Sequence, residues 1–245
     1  IMKANSKIRF SLDILVNKNT FKLKRTNNFI KLFALLIIPL ILSYSARAQV
    51  KYYVSNQGND NNAGTSTAPF ATIQRCVDKW NGIQQITCSC EGIFNEEIII
   101  RKSGPSSTNR NKIIAWDKNN NGIHSDETFI LDGQNTRNVA IKALASLKPD
   151  NVEIGFAKFK NYFPDGGCGA GGNMHFIELP CSGLNGCNDW WIHDCTFEDL
   201  GIGCPAKESY IAIKPQNASG LIVEKNIFRN IGGYIMRYVD GFGIK

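Results

Sequence analysis

Histidine is scarce in this sequence: His124, His175 and His193 stand isolated from one another. No Gly-x-Ser-x-Gly occurs, so the usual acyl-transfer nucleophile is not offered. Cys-x-x-Cys is also absent, and Cys88-Ser89-Cys90 and Cys181-x5-Cys187 lack zinc-ribbon spacing, which argues against a metal–thiolate site. Long apolar patterns of period 3.6 are missing, and so is any stretch after residue 48 long enough to span a membrane, about 20 residues. With 43% apolar and 20% charged residues, a disordered or collagen-like chain is excluded.

The net charge of +7 looks like a nucleic-acid signature until it is divided along the chain. Residues 1–48 hold nine of the 28 bases and one of the 21 acids, leaving 19 bases against 20 acids in 49–245. The body is nearly neutral, and a basic groove for phosphate backbones is not indicated. The excess sits in a leader. Lys22, Lys24, Arg25 and Lys31 precede the apolar run from Leu32 to Leu42, which ends in Ser43-Tyr44-Ser45-Ala46-Arg47-Ala48. A basic flank, a short apolar run and an A-x-A end describe a secretory signal peptide over 1–48, cleaved after Ala48. The alternative is a retained membrane anchor, which the short run and Pro39 disfavour. The expectation is a secreted, cell-surface or periplasmic protein without a stable membrane span.

All eight Cys lie after the leader, and an even count in an oxidising compartment permits disulfides. Buried free thiols are the other possibility.

All 22 Gly fall in 49–245, spread among short apolar runs such as Tyr52-Tyr53-Val54, Ile98-Ile99-Ile100 and Phe129-Ile130-Leu131. Such runs between turn residues read as strands. One helix is expected after Pro69, where Ile73, Cys76, Val77 and Trp80 share a face. The second half repeats. Val152, Ile154, Ala157, Phe159 and Tyr162 are spaced by two, three, two and three residues. Trp190, Ile192, Cys195, Phe197 and Leu200 follow the same spacing, as do Leu221, Val223, Asn226, Phe228 and Ile231. Steps of two keep side chains on one strand face, and each step of three marks a bend. Stacking such units about 4.8 Å apart buries the shared face, the pattern of an all-β, right-handed parallel β-helix. A β-sandwich with coincidental spacing is the alternative. The N-terminal cap is expected over about residues 50–100, with coils over about 100–245.

YYVSNQGNDNNAGTSTAPFATIQ at 52–74, GIFNEE at 92–97 and LDG at 131–133 resemble the N-terminal part of secreted pectin-lyase-like β-helix proteins. The resemblance implies an opening strand, a capping helix, a Gly-x-Tyr/Phe-x-Glu turn that begins the coil, and a polysaccharide-rich habitat. It does not fix one reaction. Cys76 departs from the family, which usually has Ala there. Asp240-Gly241-Phe242-Gly243-Ile244-Lys245 resembles a D-G-F-x-x-K segment of family nine polysaccharide lyases. That resemblance implies a calcium-holding role for Asp240, with further ligands and a catalytic Lys beyond Lys245. An ordinary turn between coils is the alternative. The sequence is accordingly expected to be an N-terminal fragment, stopping mid-coil and without lyase turnover of its own.

Asp117, Asn119 and Asn121 with the Ile123 carbonyl have the spacing of a calcium loop, Gly122 providing the turn. Thr128 stands where a bidentate acid would close it, and an Asn/Gly-rich surface turn is the alternative. Residues 167–172 match G-x-G-x-x-G, but a strand-like run follows where a dinucleotide site needs a helix. By alternation Trp191 and His193 point outward, where they would stack on a sugar, unless a neighbouring loop covers them. Asp194, Glu198 and Asp199 lie near one turn and would serve a glycoside hydrolase as paired acids, or else form a solvated turn. In a lyase, calcium acidifies a uronate and a Lys or Arg takes the proton. Lys214, Lys225, Arg229 and Arg237 are the basic side chains near the later copies, with Arg237 a candidate substrate contact. A non-catalytic carbohydrate-binding protein is the remaining alternative. Cys76 is expected to pair with Cys88 or Cys90; those two share a strand face and should not pair with each other.

Overall fold

The computed structural model describes residues 49–122, 124, 128–163, 173–181, 186–201, 203–205 and 210–237. The leader 1–48, Ile123, the glycine-rich 167–172 and Asp240 lie outside the described residues. In chain order the elements begin with β1 (Val50–Ser55), α1 (Ile73–Val77), β2 (Ile86–Phe94), β3 (Ile98–Ile100) and β4 (Asn111–Ala115). Next come β5 (Phe129–Asp132), β6 (Val139–Ala143), β7 (Val152–Gly155), β8 (Lys158–Tyr162) and β9 (Met174–Leu179). Last are β10 (Trp191–His193), β11 (Thr196–Leu200), β12 (Tyr210–Pro215), β13 (Ile222–Glu224), β14 (Ile227–Ile231) and β15 (Tyr234–Met236).

All pairings between these strands are parallel, and from β3 onward each strand pairs with the strand three positions later. The first sheet runs β1-β2-β4-β7-β10-β13, the second β2-β5-β8-β11-β14 and the third β3-β6-β9-β12-β15. The long strand β2 belongs to the first sheet through its first half and to the second through its last. A nearly all-β chain of three parallel sheets with a three-strand repeat is consistent with a parallel solenoid.

The repeat has a clear conformational basis. Its first step of three passes through Phe156, Asp194 and Lys225, all left-handed at φ 58°, 51° and 55°. The second step passes through Asn161, Asp199 and Asn230, left-handed at φ 58°, 60° and 50°. A left-handed residue turns the chain within one position, so side chains on either side of it can both face inward. Ile154, Ala157, Phe159, Ile192, Cys195 and Phe197 are accordingly all buried. In the last copy Asn226 replaces Ala157 and Cys195, and its amide donates to the Ile192 carbonyl and accepts from the Cys195 N–H, both at 2.9 Å.

Helix α1 is shorter than the apolar spacing implied. It ends at Val77, and hydrogen bonds from Lys79 to Cys76 and from Trp80 to Val77 tighten the chain, leaving Trp80 buried beyond the helix. Its N-terminal N–H groups are all claimed. Thr72 accepts from Arg75, and the Glu96 carboxylate accepts from Ile73 and Gln74 at 2.8 and 3.0 Å. These bonds give the Glu of the Gly92-to-Glu96 turn a structural role: it ties β2 to the helix.

Cys76 is bonded to Cys88, with Cα atoms 5.9 Å apart. Cys181 and Cys187 form a second bridge, and Cys204 is also disulfide-bonded. Pairing of all eight does not occur, because Cys90, on β2, and Cys195, in the bend between β10 and β11, are buried free thiols. Burial pushes the Cys195 thiol up to about 12, so it is inert at neutral pH. Replacing Cys76 and Cys88 together with Ala should cost about 3 kcal/mol by the loop-entropy relation. Urea unfolding curves of the two proteins measure it, and coincident curves would remove the bridge from the stability account. No helix of the described residues is long and apolar enough to cross a membrane.

Candidate functional site

Strands β6, β9, β12 and β15 place Ile141, Ile177, Ile213 and Met236 in register along the third sheet. Ile141, Ile177 and Ile213 are fully buried. The next residues along the strands face outward: Lys142, Glu178 and Lys214 in successive rungs, with Arg237 following Met236. Lys142 bonds one Glu178 oxygen at 3.0 Å and Lys214 the other at 3.4 Å. The side chains of Glu178 and Lys214 are only 11% and 13% exposed, whereas that of Lys142 is 39% exposed. The Arg237 guanidinium lies 4.9 Å from the Tyr234 ring centre.

His175 stands three residues before Glu178. Both intervening residues, Phe176 and Ile177, belong to the core, so His175 shares the outer face with Glu178. Its Nδ1–H donates to the Ile211 carbonyl at 3.1 Å, which fixes the neutral tautomer with its lone pair on Nε2. That nitrogen lies 4.0 Å from Glu178 Oε1 and has no hydrogen-bond partner among the described residues, although His175 is 1% exposed. Burial, helped by the charge of Lys214, lowers the imidazole to about 4, so it is neutral at physiological pH. Burial alone would raise Glu178. The Lys142 hydrogen bond and the charges of Lys142 and Lys214 outweigh it and hold the carboxyl below its ordinary range. Among the described residues the face carries Lys142, Lys214 and Arg237 beside the Glu178 carboxylate and the neutral His175 imidazole.

Trp191 and His193 do lie on the outer face of the first sheet, but not as free sugar platforms. His193 is 4% exposed, its ring stacked 4.0 Å from that of Trp191 and edge-on to Phe156 at 5.2 Å. Its Nδ1 bonds Asp194 at 2.8 Å, and its Nε2 lies 3.5 Å from Glu153, which pairs with Lys112 at 2.9 Å. Burial opposes the charged imidazole, yet the two carboxylates prevail and raise its pKa. Trp191 donates to Glu224 at 3.1 Å and carries the Arg110 guanidinium over its ring at 5.8 Å. The outward direction expected from alternation is present; neighbouring side chains cover it.

Gly155 makes room for this arrangement. A Cβ there would sit 2.7 Å from the His193 ring. Gly155→Ala should therefore cost about 2 kcal/mol by overpacking. Thermal unfolding measures the loss, and an unchanged Tm would show that His193 moves aside freely.

Asp194, Glu198 and Asp199 are not brought to a common point of attack. Asp194 holds His193, Glu198 pairs with Lys158 at 2.5 Å, and Asp199 accepts from Asn230 at 3.0 Å. Adjacent strand residues face opposite ways, and a left-handed Asp199 turns away, which is why proximity in sequence is lost in space. Asp117 turns its carboxylate onto its own loop, accepting from Asn121 and Gly122 at 3.2 and 2.8 Å. Asn119 and Asn121 are exposed, and among the described residues no three acidic, His or Cys side chains converge on a cation site. The donor set of this loop alone is thus an incomplete fit to calcium.

No family model matches the sequence, and no curated protein does. Among solved structures, the chain is similar to a rhamnogalacturonan lyase, with TM-score 0.51 and 14% identity over 71% of this chain and 40% of that one. It is also similar to the GH136 lacto-N-biosidase from Eubacterium ramulus, with TM-score 0.53 and 14% identity over 83% of this chain and 38% of that one. At such identities the likeness concerns the fold alone. The chain spans about two-fifths of the length of these structures.

Proposed function

We propose that the three sheets close into a secreted right-handed parallel β-helix, capped by α1, whose third sheet binds an acidic polysaccharide as part of a lyase-like protein. The observation that carries this reading is the Lys142–Glu178–Lys214 column beside the His175 Nε2, which is unpartnered among the described residues. Cations repeated along a solenoid axis suit a polymer with a carboxylate on each unit. The names of the structural neighbours, both enzymes of carbohydrate chains, are in keeping with it.

In the lyase form of this reading, Lys142, Lys214 and Arg237 neutralise uronate carboxylates. Neutralisation acidifies the adjacent C–H, and His175 Nε2 is the nearby proton acceptor. The C–H electrons form the new C=C bond as the glycosidic C–O bond breaks, and the departing oxygen is protonated by solvent. The near-complete burial of His175 favours a second form, in which the same face binds without turnover. Affinity electrophoresis tests the shared claim: polygalacturonate should retard the protein and neutral galactan should not, with retardation falling as salt rises. Equal retardation by both polymers would sink it. Absorbance of unsaturated uronide products separates the two forms.

Calcium at Asp117, Asn119, Asn121 and Ile123, with Asp240, belongs to the same proposal. If the loop takes the ion, calcium raises Tm in the native protein and not in Asp117→Asn; coincident melting curves reject it.

A further inference from the structure

A groove of about 680 Å³ opens where the first sheet turns into the second. Its wall is built by one turn position in three successive rungs. Gly155, His193 and Glu224 are in register, so Phe156, Asp194 and Lys225, the residues after them, stack along the turn and line the groove. All three are left-handed. Asn or Gly takes that conformation more readily than Phe or Lys, and such strained positions cluster where a ligand is held.

The side chains are fixed from behind. Asp194 is held by His193, which is backed by Glu153 and Lys112. Phe156 is met edge-on by His193 at 5.2 Å and stacked at 4.3 Å on His124, which lines the groove beside it. Across the groove Lys158 pairs with Glu198, and Thr196 adds a hydroxyl. Lys225 makes no ion pair among the described residues. Among the described residues the lining carries one carboxylate, Asp194, beside Lys225 and a Lys158 already paired with Glu198, a more even mixture than the cationic face of the third sheet.

We propose that this groove is a separate binding site for a neutral saccharide. Phe156 supplies an apolar wall for the C–H face of a pyranose ring. The anchored Asp194 carboxylate accepts from adjacent hydroxyls, while Lys225, Lys158 and Thr196 donate to ring and hydroxyl oxygens. The site does not depend on what the third sheet binds.

Calorimetric titration of the whole protein with galactotetraose, cellotetraose, xylotetraose and tetragalacturonate tests the proposal. At least one neutral tetraose should bind saturably, and tetragalacturonate should not displace it. Asp194→Asn should weaken that binding tenfold or more. Phe156→Asn should do the same in a protein that still folds cooperatively, as its melting curve shows, because Asn suits the left-handed turn. The Lys142→Gln, Lys214→Gln double variant should bind the neutral sugar unchanged. Failure of every neutral tetraose to bind, displacement by tetragalacturonate, or native affinity in both groove variants would overturn the proposal.

Discussion

Phe197→Ala should lower stability by about 4 kcal/mol, the cost of truncating a fully buried aromatic side chain. Phe159, Phe197 and Phe228 occupy one position in three successive rungs, and Phe197 is the middle ring. It stacks on Phe159 at 4.7 Å and on Phe228 at 4.9 Å, with rings inclined by 15° and 11°. It also meets Phe176 of the third sheet at 5.5 Å. Truncation removes all three contacts and opens a void that parallel strands, fixed by ladders on both sides, cannot collapse to fill. For a domain of this size the loss corresponds to a fall in Tm of roughly 8–16 °C. Phe228→Ala should cost less, because Phe228 is only partly buried. Calorimetry of the three proteins decides the point. A loss below about 1 kcal/mol for Phe197→Ala would mean that the column does not hold the rungs together.

The second large effect belongs to the third sheet. The Lys142→Gln, Lys214→Gln double variant should weaken polygalacturonate binding by about 4 kcal/mol, roughly a thousandfold, if each ammonium contributes about 2 kcal/mol through charge-assisted hydrogen bonds. Gln keeps an amide donor for Glu178, so the carboxylate is not stranded as it would be by Ala. Glu178→Gln should act in the opposite direction, releasing both ammonium groups to the ligand and binding at least as tightly as the native protein. Fluorescence anisotropy with a labelled oligogalacturonate measures all three. Native affinity in the double variant would move the binding site elsewhere.

Much of the fold is legible in the sequence because inward positions are specified by side-chain type. The spacing of two, three, two and three residues marks strand faces, and the observed left-handed residues coincide with the steps of three. A bridge from Cys76 to the Cys88–Cys90 strand was legible because the helix face and the inward strand positions were both readable, but the choice of Cys88 over Cys90 was not. The helix end was not, since turn bonds at Lys79 and Trp80 leave the apolar spacing intact.

The candidate site was less legible. Trp191 and His193 have the right direction, but alternation says nothing of Glu153, Phe156 and Arg110, which cover them from neighbouring rungs or turns. Lys142, Glu178 and Lys214 did leave a signal, an equal spacing of 36 residues. It was hidden because the third sheet lies in the variable stretch between repeat copies, and two adjacent inward residues, Phe176 and Ile177, break the alternation there. The His175 ring nitrogen left unpartnered among the described residues has no trace in sequence at all. It arises only when the Ile211 carbonyl claims the other nitrogen.

The most direct measurement is a crystal structure of the protein with an oligogalacturonate. The account predicts that the sugar lies along the third sheet, with carboxylates at hydrogen-bond distance from Lys142, Lys214 and Arg237. An oligogalacturonate bound only in the groove beside Asp194, or a saturated protein with the third sheet bare, would contradict it.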